Sequence, residues 1–327
     1  MGVSDPKGKK IIRDPRIVCD MLNGGICHGA SYFQVENMER LPETSDIVYM
    51  DGTGREKFKG QTPDAVFCYN DRDGQVLITI QNQKEMSLIM PVRECLSAAL
   101  LYERQIQERK AELKKQKGLR KGAEFLSGVK AGDRFSPVLG IIFYYGEESW
   151  SSAVRLHEML DFPAGFPALK ELCPDFKINV IHGGNVNPNN FKTGLRQLFE
   201  LLPFAADKKA MVAYVKENPS HFENLDDEGC EIMAAFLGCH VLEEGKREAY
   251  LNQKGGYNMC TALEDLRQEG VQEGIDIGEE RGVHKASEAI LTLVNRMLGS
   301  EDAGKIPLIQ GDLKLRQKMM EKYQVSL

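Results

Sequence analysis

The run SPVLGIIFYYG, residues 136–146, constrains the fold more than any other stretch of the chain. It is almost uniformly apolar and bounded by turn formers, so as a strand it has no polar face for water and must be covered on both sides. KINVIHGG, residues 177–184, is a shorter strand of the same kind. Strands of this type belong to layered α/β folds rather than to one-sided antiparallel sheets.

The segments around them agree. In DPRIVCDMLNGGICH, residues 14–28, Ile17, Val18, Met21 and Leu22 follow helical spacing, and Gly24-Gly25 ends the pattern. Residues 45–80 are strand-like, with DAVFCY and VLITI separated by the turn NDRDG. A long helix is predicted over 86–113, opened by Pro91, with Val92, Leu96, Ala99, Leu100 and Ile106 as its buried stripe. The order helix, strands, helix, strand, helix, strand predicts an α/β layer with a mixed sheet over residues 10–185. Residues 186–298 read as a helical C-terminal region, and 299–327 as a peripheral tail. Within the helical region glycines recur at 270, 274, 278 and 282. They permit either close helix–helix approach, and with it a homo-oligomer, or a fraying connection, since each costs a helix about 1 kcal/mol relative to alanine.

Composition narrows the function. The chain has 327 residues, 42% hydrophobic and 28% charged, enough for two cores. No run approaches the roughly 18 apolar residues of a membrane span, and MGVSDPKGKK has no apolar segment behind its charges, so no export signal is expected. The eight cysteines form no C-x-x-C pair and sit beside apolar neighbours, as the reduced thiols of a cytoplasmic protein do. The six histidines have no metal-ligand spacing, which argues against zinc. The net charge of −6 argues against indiscriminate nucleic-acid coating. However, residues 108–122 set Arg109, Lys110, Lys114, Lys115, Lys117, Arg120 and Lys121 against Glu108 and Glu112. That stretch is either a solvated surface or an arm that contacts phosphates.

Candidate chemistry lies at the two ends of the 60–83 hairpin. Pro63-Asp64 opens one strand, Gln81-Asn82-Gln83 closes the other, and the tight turn brings them together. An oxygen ligand from each strand, with Gln83 on the same face two residues on, suits a hard cation and an oriented water. On these residues, with Met90-Pro91-Val92-Arg93, Tyr102, Phe125-Leu126-Ser127-Gly128, Tyr144-Tyr145-Gly146 and the 269–282 glycine repeat in that order, the chain resembles the recombination-promoting nuclease (transposase-like) family of the PD-(D/E)XK nuclease superfamily. The resemblance runs from about residue 14 to residue 285. It implies a restriction-endonuclease-like core, Mg²⁺- or Mn²⁺-dependent cleavage of DNA, Asp64, Gln81 and Asp20 as metal ligands, and Gln83 as the water-positioning group. It also implies Arg93 near the phosphate, and the basic stretch just beyond that helix would add DNA contacts from Lys114, Lys115 and Lys117. Arg93 and Tyr102, nine positions apart, face opposite sides of a helix, which leaves Tyr102 for the core. One departure stands out. Where the family has its second acid, this chain has Gln81, which offers a carbonyl oxygen but no negative charge. The sequence therefore leaves three readings: an impaired nuclease; a DNA-binding or regulatory pseudonuclease that pairs with another subunit and cuts nothing; or a purely structural oligomer built on the glycine-repeat helix.

Overall fold

The computed structural model describes residues 6–42, 46–50, 56–60, 63–116, 118 and 122–326. It forms two compact units, residues 1–263 and 264–327. Seven strands occur among the described residues: β1 (Met38–Leu41), β2 (Asp46–Met50), β3 (Glu56–Gly60), β4 (Ala65–Asn70), β5 (Gln75–Gln83), β6 (Val138–Tyr144) and β7 (Asn179–Ile181). The main sheet has the order β1-β4-β5-β6-β7, and β2 pairs with β3 in a separate ribbon. The pairs β1–β4 and β4–β5 are antiparallel, whereas β5–β6 and β6–β7 are parallel, so the sheet is mixed as expected. β1 went unread in the sequence. It is a four-residue edge strand with only Met38 fully buried. The β4–β5 turn is held by Asp71, whose Oδ1 accepts from Asp73 N and Gly74 N, and Gly74 takes φ +151°, a conformation that favours glycine.

The helices are α1 (Pro6–Ile11), α2 (Pro15–Met21), α3 (Met90–Lys115), α4 (Ala123–Ser127), α5 (Leu169–Leu172), α6 (Leu195–Leu201), α7 (Lys208–Glu217), α8 (Pro219–Phe222), α9 (Asp227–Leu237), α10 (Met259–Leu298) and α11 (Leu313–Lys322). Neighbouring residues of β6 show what covers each face. Ile142 packs with Met90 of α3 and Ile178. The Phe143 ring lies 6.0 Å from Phe199 of α6 and 5.0 Å from Phe236 of α9. Since successive side chains point to opposite faces, α3 covers one face and α6 and α9 the other. The helices after residue 186 thus complete the first core, and the chain divides at 263/264 rather than at 185. The tail is not peripheral either: Ile309, Met319 and Met320 join Ala289, Leu293 and Met297 of α10 in the core of the second unit.

The buried stripe of α3 is rotated from the expected one. Met90, Glu94, Ser97, Ala98 and Leu101 are buried, while Val92 is 46% exposed and Ala99 faces solvent. A glutamate and a serine occupy the core-facing phase, so hydrophobicity alone placed that phase wrongly. Tyr102 is not a core residue: it is 39% exposed, and its hydroxyl accepts from Val138 N at the start of β6. The glycine repeat lies within α10, a continuous 40-residue helix, and a Cβ at 270, 274, 278 or 282 would meet nothing within 4 Å. No helix among the described residues is long and apolar enough to cross a membrane.

Candidate functional site at the end of strand β5

The antiparallel ladder pairs Ala65 with Ile80, and Asp64 N donates to Ile80 O at 2.9 Å. The next step of the register sets Asp64 opposite Gln81. The backbone therefore brings together the two positions singled out in the sequence, but their side chains take different partners. Asp64 turns to α1: its Oδ1 lies 2.9 Å from Lys9 Nζ, and its Oδ2 accepts from Asn82 N at 2.8 Å. Its carbonyl accepts from Arg13 Nε at 3.2 Å. Gln81 turns to α3. It is 1% exposed, and its Oε1 accepts from Arg93 Nη2 at 3.4 Å. Arg93, the residue expected near a phosphate, is itself half-buried. By the two-residue period Thr79, Gln81 and Gln83 share one face, and Gln83 is half-buried.

Asp20 stands elsewhere. It is 7% exposed, and its carboxylate accepts from Lys192 N, Thr193 N and Thr193 Oγ1 at 2.6–3.0 Å, which ties α2 to the segment entering α6. Lys114 and Lys115 are exposed in the last turn of α3, and neither has an ion pair among the described residues. Arg109 is spent on Glu112 and Asp133, at 2.7 and 2.8 Å. Lys117, Arg120 and Lys121 lie outside the described residues.

The resemblance implies a divalent cation at Asp64, Gln81 and Asp20, and the donor set does not fit one. Such an ion needs several oxygen ligands whose charge is free to face it. Asp64 already faces an ammonium, Gln81 is neutral and faces a guanidinium, and Asp20 already accepts from two backbone N–H groups and a hydroxyl. Among the described residues no three His, Cys, Asp or Glu side chains are grouped to hold a metal. Beyond Gln83, a hollow of about 320 Å³ is lined by Glu85, Glu147 and Glu148 against Lys84 alone, which repels a phosphate from that side.

Two residues of the site had not been singled out in the sequence. Lys9 carried no signal in a short, charged N-terminal segment. Glu94 did: it sits four residues after Met90, in the phase that α3 buries. Glu94 is 1% exposed, its Oε2 accepts from Thr79 Oγ1 at 2.8 Å, and a Cβ on Gly140 would come within 2.4 Å of that oxygen. Burial pushes the Glu94 carboxyl upward, opposed by the Thr79 hydroxyl, the Gln81 side chain and the Arg93 charge. Because the folded-state pKa is the higher one, this contribution to stability is complete below the ordinary glutamate value of about 4.3 and is lost as pH rises through the folded value. Glu94→Gln is therefore expected to match wild type in acid and to exceed its denaturation midpoint at neutral and alkaline pH. A difference that stays constant across pH would mean that Glu94 does not titrate from this position.

No family model, curated protein or solved structure significantly matches the chain.

Proposed function

We propose that this chain is a DNA-binding protein on a PD-(D/E)XK nuclease-like core that holds the phosphodiester backbone without cutting it. The observation that carries this reading is the pairing at the end of β5: Lys9 on Asp64 and Arg93 on Gln81 put protein cations where a nuclease needs a metal. An in-line attack on a phosphodiester requires a cation to activate water and to offset charge. Each of these oxygens already has a protein cation as its partner. Phosphate binding has no such requirement, since Arg and Lys contact backbone oxygens directly. Arg93 beside Gln81, with Lys114 and Lys115 farther along α3, would supply those contacts.

A sequence-independent phosphate mode predicts that binding survives EDTA. Duplex DNA should bind with the same affinity in EDTA and in Mg²⁺ at matched ionic strength, and neither Mg²⁺ nor Mn²⁺ should produce nicked plasmid. Neutralising Lys114 and Lys115 should weaken every duplex alike and lower the salt slope by about one to two. Metal-dependent nicking that Asp64→Ala abolishes would overturn the reading in favour of a nuclease. A wild-type salt slope after the lysine changes would return that surface to a solvated helix end.

A further inference from the structure

Three side chains and one missing side chain build a recess for a carboxyl between the sheet and α3. Thr79 and Gln81 of β5 are 0% and 1% exposed, Glu94 of α3 is 1% exposed, and Gly140 of β6 leaves the room that Glu94 Oε2 fills. The recess is loosely paired: the Gln81 side chain acts on the Glu94 carboxyl as a hydrogen-bond donor, but Gln81 Nε2 and Glu94 Oε1, both buried, have no partner at full hydrogen-bond geometry. Buried polar atoms are usually fully paired, and a donor and an acceptor left short of full hydrogen bonds are costly for packing alone.

We propose that Glu94 is a positioning residue for phosphate binding, which acts through the Gln81 amide to fix where the Arg93 guanidinium meets a DNA phosphate. Polarity sets how these three side chains can pair. A glutamine amide has an oxygen that only accepts and a nitrogen that only donates, whereas a guanidinium only donates. Gln81 can hold Arg93 only with its oxygen turned toward it, as it is at 3.4 Å. Reversed, the amide would set a donor against a donor. The Glu94 carboxyl, on which the Gln81 side chain acts as a hydrogen-bond donor, keeps Oε1 as an acceptor even when it carries its proton toward Thr79. The carboxyl thus fixes the sense of the amide, and the amide fixes an arginine that would otherwise sample many rotamers before meeting a phosphate. This inference rests on the phosphate-binding reading above.

The test uses the full chain, a DNA duplex of about 30 base pairs in EDTA, and affinity measured by fluorescence anisotropy between about 50 and 200 mM NaCl. Arg93→Ala should reduce the log–log salt slope by about one, the loss of one phosphate contact. Glu94→Met fills the recess but offers Gln81 no oxygen, and it should bring the slope down to the Arg93→Ala value. Glu94→Gln keeps an oxygen and should restore the wild-type slope. The Arg93→Ala/Glu94→Met double variant should fall no further than either single change. A packing role would move the melting temperature of these variants but not their salt slope. A folded Glu94→Met with the wild-type slope overturns the inference, as does an additive double variant. If Glu94→Met does not fold, Gln81→Leu decides: it severs the link and leaves Glu94 on Thr79, so the Arg93→Ala slope is expected and a wild-type slope is fatal. Should Arg93→Ala itself keep the wild-type slope, Arg93 binds no phosphate and the functional reading at this residue falls together with the inference.

Discussion

Gln81→Glu is expected to destabilise the protein by about 3 kcal/mol or more, a fall in melting temperature of roughly 10 °C for a unit of this size. The side chain at 81 is 1% exposed and lies against Glu94, which is equally buried. A second carboxylate there would put two like charges in one recess, where among the described residues Arg93 and the Thr79 hydroxyl are the groups that offset them. Either one acid stays protonated well above its ordinary range or the recess opens. The change Gln81→Glu/Glu94→Gln moves the charge without doubling it and should recover most of the loss, so a double-mutant cycle should show strong coupling. The nuclease resemblance implies the opposite. Restoring the acid on the strand would then create a cation site, Mg²⁺ would stabilise the single variant, and plasmid nicking would rise tenfold or more. Rescue by Mg²⁺ and not by Glu94→Gln would refute the arrangement argued above. Wild-type stability of the single variant would mean that residues 81 and 94 do not share one buried space.

The layered α/β fold was legible because its signals are strong ones. The apolar run at 136–146 became β6, parallel to both neighbours, and NDRDG became the turn that Asp71 and Gly74 close. Register was legible too, since a tight turn and a fixed strand period leave few ways to pair Asp64 with anything but the end of β5. Three things were not. The phase of α3 was hidden because Glu94 and Ser97 occupy buried positions, and an apolar stripe cannot reveal a polar residue inside it. The division at 263/264 was hidden because the helices that cover the Phe143 face come late in the chain, after the last strand. Side-chain partners were hidden because register fixes Cα neighbours and leaves the carboxylate free to choose. Asp64 took an ammonium and a backbone N–H from α1 and β5, while Gln81 took a guanidinium from α3. The same freedom decided Asp20, for which the resemblance implied a metal ligand and its place on the first helix allowed a solvated residue.

Asp20→Ala is expected to cost about 3 kcal/mol or more, with or without divalent metal. The carboxylate bonds two backbone N–H groups and one hydroxyl from Lys192 and Thr193, some 172 residues away in sequence. Removing it strands those donors at a site where Asp20 is 7% exposed, and each buried donor left unpaired costs about 1–3 kcal/mol. The Thr193 hydroxyl can turn to other acceptors, but the two amides are fixed by the backbone and cannot. The anchor is also long-range. It holds the chain leaving β7 against α2, so that α6 packs where Phe199 meets Phe143. Asp20→Asn keeps one acceptor oxygen and should fall between wild type and alanine. Urea denaturation of the three proteins, each with EDTA and with Mn²⁺, reads the result directly. A structural anchor gives the order wild type, Asn, Ala with the same gaps in both conditions. A metal ligand gives gaps that appear only with Mn²⁺, and that outcome would restore Asp20 to a cation site.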